Sequence, residues 1–384
     1  MTAIYLDNAA STRVSDEVLA LSTEVMRTAW GNPSSSHPQG ALARGHIETA
    51  RQRILNSLGD RAGAGDIVWT SGCSESNALA VLGAAATHPG SIVISTIEHA
   101  AISTLADRIE ATLHRPVHRV APGHDGVLDP EHVAAAAAPN ADSYAAGVVS
   151  IVAVQNELGI IQPIAAIIAA VRAVAPTAHI HVDAAQAIGK VHFDLATLGA
   201  DSVAIAGHKL HAPKGIGALW LRKTARIEPL WIGGGQQHGL RGGTQDAPGA
   251  AALGLAVERA IAQLPTQRTR WLELAHDLLA TLEQRGVTVR QLITDIRRAP
   301  HILALAVPNT PASALRNVLS SRGVYISTGS ACADGEVKAS SILKTINLPE
   351  SDGMVRLSFA HDTTKDDVMT AATILADVIK SLAK

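Results

Sequence analysis

Two short stretches decide the fold: His179-Ile180-His181-Val182-Asp183-Ala184-Ala185-Gln186 and Ala206-Gly207-His208-Lys209. Each passes from an apolar run into polar residues, as a buried strand does where it leaves its sheet. In an open α/β sheet, ligands gather at the carboxyl ends of the strands. A carboxylate, Asp183, stands at one such end and an amine, Lys209, after the next. Working outward, short apolar runs at 66–70, 91–95, 148–154, 179–182, 203–206 and 217–221 read as strands. Helical periodicity from Ser15 and Asp16, over 41–58 and from Glu75 separates several of them. Strands alternating with helices predict a mostly parallel sheet with helices on both faces.

Beyond Gly233-Gly234-Gly235 the texture changes. Helices are predicted over 245–264, 268–284, 312–322 and 365–382, and strands over 301–307, 324–327 and 355–359. This predicts a large α/β domain over 15–260. A smaller α+β domain would combine 1–14 with 261–384.

Composition sets outer limits. The 384 residues are 47% hydrophobic and 17% charged, which is ordinary for a globular chain and too apolar for a disordered one. With 32 Lys+Arg against 34 Asp+Glu, the formal charge of −2 carries no built-in nucleic-acid footprint. The most apolar stretch, 164–171, is too short for a membrane span and meets Arg172. No secretory leader is legible at the start, so a cytoplasmic setting is expected. Two cysteines exclude a disulfide framework and a Cys-rich zinc site, and no metal is expected. Aromatic residues make up only 3%, so the core must be built from Ala, Val, Ile and Leu.

Two readings stand for Asp183 and Lys209: a buried ion pair, or a pyridoxal phosphate (PLP) site. PLP needs a lysine amine for its covalent attachment and a carboxylate to keep its ring nitrogen protonated. Gln186 is placed to bond its phenolic oxygen. Thr70-Ser71-Gly72-Cys73-Ser74-Glu75-Ser76-Asn77 joins a strand end, a small-residue turn and a helix start. That is either a Ser–Glu helix cap or a phosphate cradle of backbone N–H groups. Ser327-Thr328-Gly329-Ser330-Ala331-Cys332-Ala333-Asp334-Gly335 sets a thiol among loop formers, where it is available as a nucleophile.

Taken together, and in order along nearly the whole chain, these stretches resemble the NifS-like cysteine desulfurases, fold-type I PLP enzymes of the class-V aminotransferase family. Further matching stretches are Tyr5–Thr12, Gly31-Asn32-Pro33-Ser34-Ser35, Glu98-His99, Asn156-Glu157-Leu158-Gly159, Pro213-Lys214-Gly215, Arg241-Gly242-Gly243-Thr244 and Val355-Arg356-Leu357-Ser358. The resemblance implies conversion of L-cysteine to L-alanine, with sulfur held as a persulfide on Cys332 and passed to an acceptor protein or thiol. Lys209 corresponds to the lysine that carries PLP, with Lys214 the alternative. It implies that His99 stacks on the ring and that Asn156 lies near the phenolic oxygen and the substrate carboxylate. Arg356 would clamp that carboxylate with help from Asn32. The phosphate would fall to Cys73, Ser74, His208 and Thr244, with Thr244 reaching the partner subunit's site in a homodimer. Neither a membrane nor a direct nucleic-acid partner is expected. Iron–sulfur cluster assembly and nucleic-acid thiolation are the processes such enzymes feed.

Two departures stand out. Ala206 replaces a usual Ser or Thr and removes one phosphate contact. Cys73 replaces a small residue. Competing readings are a selenocysteine lyase or aminotransferase of the same family, and a non-catalytic scaffold homologue.

Overall fold

Two-residue strand β1 (Ile4–Tyr5) begins a computed structural model that describes residues 3–139, 144–294, 297–329 and 341–382. The apolar runs then form a seven-stranded sheet from β2 (Gly65–Thr70), β3 (Ile92–Ser95), β4 (Val117–Val120), β5 (Val148–Val152), β6 (His179–Asp183), β7 (Ser202–Ala206) and β8 (Gly217–Arg222). Their spatial order is β2-β8-β7-β6-β5-β3-β4. β4, β3, β5, β6 and β7 run parallel, while β8 is antiparallel to both β7 and β2. Every residue of β3, β5, β6 and β7 is buried, which explains why β3, β5 and β7 read as mostly apolar runs, while β6 carries two buried histidines, His179 and His181. β4, Val-His-Arg-Val, escapes that signature because its two central residues are not buried.

The remaining strands are β9 (Arg290–Gln291), β10 (Ile302–Val307), β11 (Val324–Tyr325) and β12 (Gly353–Ser358). β10 pairs antiparallel with β12 and β9, and β11 pairs with β1. A separate core fills this end: Leu303, Leu305, Leu357 and Phe359 from the sheet region, Trp271 and Leu278 from a helix, and Ile4 and Leu6 from the start of the chain.

One expectation is corrected. The helices predicted over 245–264 and 268–284 are a single helix, Ala247–Gln284, with Pro265 inside it. No residue between Val257 and Trp271 is buried. The carbonyl that Pro265 leaves without a donor therefore lies on a stretch open to water, and the helix continues.

Candidate active site

Parallel strands deliver their carboxyl ends to one edge, so β6 ends on Asp183 beside β7, which leads into Gly207-His208-Lys209. A strap from the chain start crosses the same edge. Asn8 donates to the Ser358 carbonyl at 2.9 Å, and the Ala9 N–H donates to Ser358 Oγ at 2.8 Å, which binds the strap to β12. Thr12 Oγ1 donates to the His208 carbonyl at 3.0 Å, which binds it to the lysine segment. Lys209 Nζ donates to the Ala9 carbonyl and, at 2.7 Å, to the Ala10 carbonyl. Gln186 Nε2 donates to that same Ala9 oxygen at 2.7 Å, and its Oε1 meets His301 Nε2 at 3.2 Å.

Lys209 thus rests on neutral acceptors. Burial first, and then the Arg356 charge, lower its pKa to about 8, with Asp7, Cys73 and Asp183 opposing. A buried ion pair with Asp183 would have raised it. Asp183 is instead held by neutral donors: Asn77 Nδ2 at 2.7 Å on Oδ2, and the Ala185 N–H at 3.0 Å with the Cys73 thiol at 3.5 Å on Oδ1. That thiol's pKa is raised well above its ordinary value, by burial and then by the Asp183 carboxylate.

The turn before helix Cys73–Thr87 does not form the Ser–Glu cap. Glu75 accepts from the Ser71 N–H and pairs with Arg241 at 2.8 Å. It does not cap the helix: Gly72 occupies the N-cap and no side chain accepts from the first turn. Space in front of Gly72 is open, with nothing within 4 Å of where a Cβ would project. The N–H groups of Cys73 and Ser74 begin this helix without a side-chain partner. His208, whose pKa is lowered to about 4 by burial and then by Lys209, lies close enough to His99 for the two to interact electrostatically.

These observations fit PLP. The uncapped helix start has the donors and the room for a phosphate, Lys209 is a partly deprotonated amine, and Asp183 is a carboxylate not neutralised by an ion pair among the described residues.

Arg356 is 4% exposed. It pairs with Asp7 at 2.5 Å and donates to the Asn156 carbonyl at 2.8 Å, while its Nε is buried without a partner among the described residues. One guanidinium edge is therefore anchored by the protein, and Nε is left for a ligand. Arg356→Ala should lower kcat/KM for L-cysteine about 10- to 100-fold, mainly through KM, as a charge-assisted contact of roughly 1.5–3 kcal/mol implies. Arg356→Lys should recover only part, since an ammonium cannot hold Asp7 and a carboxylate in one plane. Steady-state kinetics of both variants check this, and unchanged KM in both removes Arg356 from the site.

Other expected residues fall differently. His99 caps helix Ala100–Leu113, accepting from the Ala101 N–H at 3.1 Å, and is exposed. Thr244 is exposed on its loop, and Lys214 is likewise exposed. Asn32 accepts from the Ser34 N–H at 2.9 Å, and no described bond joins it to the cluster. Ala206 is buried at the end of β7. Ser330 and Cys332 lie outside the described residues. Sequence reasoning missed Asp7, His301 and the grip of Asn77 on Asp183. It also passed over Glu98, whose pKa burial raises to about 8.

Among the described residues, one group could hold an ion: His211, His361 and Asp362. Lys190, Arg270 and Arg13 all lower the His361 pKa, and that concentration of cations opposes a divalent metal. Among the described residues, no helix is long and apolar enough to cross a membrane.

The Aminotransferase class-V family profile matches residues 4–370. A cysteine desulfurase of Cereibacter sphaeroides is 34% identical over 392 residues, covering 100% of this chain and 97% of the relative. A solved structure titled NifS-like protein superposes with a TM-score of 0.89 at 30% identity, covering 99% of this chain and 100% of that one. Another, titled SspA in complex with cysteine, gives a TM-score of 0.78 at 30% identity, covering 92% and 98%. The expected α/β fold-type I architecture, mostly parallel sheet and all, is the one these relatives share, and the chain belongs to the class-V aminotransferase family, among its NifS-like cysteine desulfurases.

Proposed function

We propose that this chain binds PLP on Lys209 and converts L-cysteine to L-alanine, passing the sulfur through a persulfide on Cys332. The observation that carries the reading is the meeting of a partly neutral lysine, a carboxylate with no ion-pair partner among the described residues and an open helix N-terminus at one sheet edge. When bound, PLP supplies an electron sink for the charge left at the substrate Cα. The protein supplies the rest. Arg356 holds the substrate carboxylate, with the Asn156 backbone fixing one guanidinium edge. Lys209 Nζ removes the Cα proton and later returns one. Cys332 Sγ attacks the substrate sulfur, so an S–S bond forms as the Cβ–S bond breaks. The electron pair stays on Cβ, which is protonated to the methyl group of alanine.

Two cysteines are present, and Cys73 makes a poor nucleophile, because burial and Asp183 keep its thiol protonated. That supports Cys332 as the sulfur acceptor. His99, Gln186, Asn156 and His208 complete the proposed cofactor shell. The two separate cores support a large lobe over 15–260 and a small one from 1–14 with 261–384. Thr244 is exposed and lies three residues after Arg241, which bridges to Trp231 of the exposed apolar pair Trp231 and Ile232. A second copy of the chain covering that surface would receive Thr244 at its own phosphate site. A reactive thiol suits a reducing, cytoplasmic setting, and the sulfur would leave to an acceptor protein or a small thiol.

The test is a single-turnover reaction with L-cysteine. Alanine should form in step with one extra sulfur on the Cys332 peptide, read by mass spectrometry. Mercaptopyruvate in place of alanine would indicate a transaminase, and sulfur on the Cys73 peptide would move the acceptor there.

A further inference from the structure

Strand alternation places His179, His181 and Asp183 on one face of β6. The β6–β7 register sets Ser202 directly beside His181. Asn77, 1% exposed on helix Cys73–Thr87, bridges His181 and Asp183. The hydrogen bonds form one unbroken chain. His179 Nε2 meets Ser202 Oγ at 2.8 Å, and Ser202 Oγ meets His181 Nδ1 at 2.9 Å. His181 Nε2 meets Asn77 Oδ1 at 3.0 Å, and Asn77 Nδ2 meets Asp183 Oδ2 at 2.7 Å.

The direction of every proton in this chain follows from its last member. Only the amide nitrogen of Asn77 can donate to a carboxylate, so Asn77 Oδ1 faces His181 and can only accept. His181 Nε2 therefore carries a proton. Burial lowers the His181 pKa to about 3, so the ring is neutral and Nδ1 is a bare acceptor. Ser202 must give its single proton to that nitrogen, and its oxygen then accepts from His179 Nε2–H. His179 is neutral too, its pKa lowered to about 4 by burial. Its remaining nitrogen, Nδ1, is bare, and Nδ1 is the one His179 atom buried without a partner. Each donor atom of the chain has an acceptor, and every one of these bonds points toward Asp183. Its far end lies near the surface, where His179 packs edge-on to His88 at 5.7 Å in a depression also lined by Arg172 and Asp201.

We propose that His179, Ser202, His181 and Asn77 are positioning residues, a one-way relay of neutral donors that fixes the Asp183 carboxylate and polarises it as an anion. The inference rests on the proposed function, in which Asp183 meets the PLP ring nitrogen. A carboxylate held by neutral dipoles keeps its charge for that nitrogen's proton, whereas one paired with a lysine or arginine would share it.

Nitrogen-15 NMR of histidine-labelled protein tests the direction, with and without PLP. From about pH 6 to about pH 8.5, both His179 and His181 should be neutral with the proton on Nε2, because burial holds them far below the ordinary histidine range. A proton on Nδ1 of His181, or an imidazolium, overturns the relay. The functional link is tested with PLP carrying nitrogen-15 in its ring. Ser202→Ala and His181→Leu should hold PLP roughly 3- to 10-fold more weakly, the scale of one lost hydrogen bond. The ring-nitrogen signal should shift toward the unprotonated form, while the exposed control His132→Gln changes neither. Folded variants with wild-type affinity and a wild-type ring signal overturn the relay and leave the proposed function intact. A wild-type protein that binds no PLP overturns the proposed function instead, and the imidazole signals of the cofactor-free protein then decide whether the one-way chain exists.

Discussion

Lys209→Ala is expected to lose about 10⁴-fold in kcat and to purify without covalently bound PLP, because one amine both anchors the cofactor and moves the Cα proton. The depressed pKa of Lys209 gives this prediction a pH signature. With a folded-state value of about 8, roughly a tenth of the amine is neutral at pH 7, against about one part in three thousand for an ordinary lysine. Lowering a lysine pKa disfavours its charged form, so the free-base fraction rises as pH climbs through about 8 and then levels off. The rate at which PLP attaches to the cofactor-free wild type should show that rise. In Lys209→Ala, small primary amines added to the buffer should restore part of the proton transfer. Borohydride treatment of the wild type should leave the pyridoxyl group on the Lys209 peptide. Its appearance on Lys214, or an undiminished rate in Lys209→Ala, would move the role elsewhere.

The edge where Lys209 sits was legible because burial leaves a compositional trace. β5, β6 and β7 are buried throughout, so β5 and β7 are mostly apolar and β6 keeps apolar residues between its buried histidines, and the polar residues that follow mark the ligand edge. β4 left no such trace, since its central His118 and Arg119 are not buried. Pro265 misled for a related reason. Sequence rules treat an interior proline as a break, and whether the freed carbonyl finds water depends on an exposure that only the fold decides.

Pairings across the chain were illegible on other grounds. Asp7 reaches Arg356 and Gln186 reaches His301 only because separate parts of the fold converge on one edge. Periodicity identifies which face of an element is buried, not what lies opposite. His179 and His181 show the boundary between the two. Their alternation with Asp183 is plain in the sequence, yet the relay needs the register that sets Ser202 beside His181, together with a helix that presents Asn77.

The same geometry determines what Asp183→Asn would do. Asparagine preserves the shape of the side chain but brings one donor where aspartate has two acceptors. Asp183 Oδ2 receives the Asn77 amide, and Oδ1 receives the Ala185 N–H and the Cys73 thiol. Whichever way the new amide turns, its NH₂ group meets an N–H donor, and one hydrogen bond becomes a repulsion. Two consequences follow. The folded state should lose about 1–3 kcal/mol through the unsatisfied buried donor, read as a lower melting temperature of the cofactor-free protein. Separately, kcat should fall about 10²- to 10³-fold, because a fixed negative charge no longer faces the ring nitrogen of PLP. The two effects can be told apart with PLP methylated at that nitrogen, which is permanently cationic. Its ring needs no carboxylate to hold a proton, so it should recover much of the lost kcat while leaving the melting temperature where the substitution put it. If methylated PLP gives no recovery and ordinary PLP binds the variant with its ring nitrogen still protonated, another group supplies the counter-charge and Asp183 serves only to close the hydrogen-bond chain.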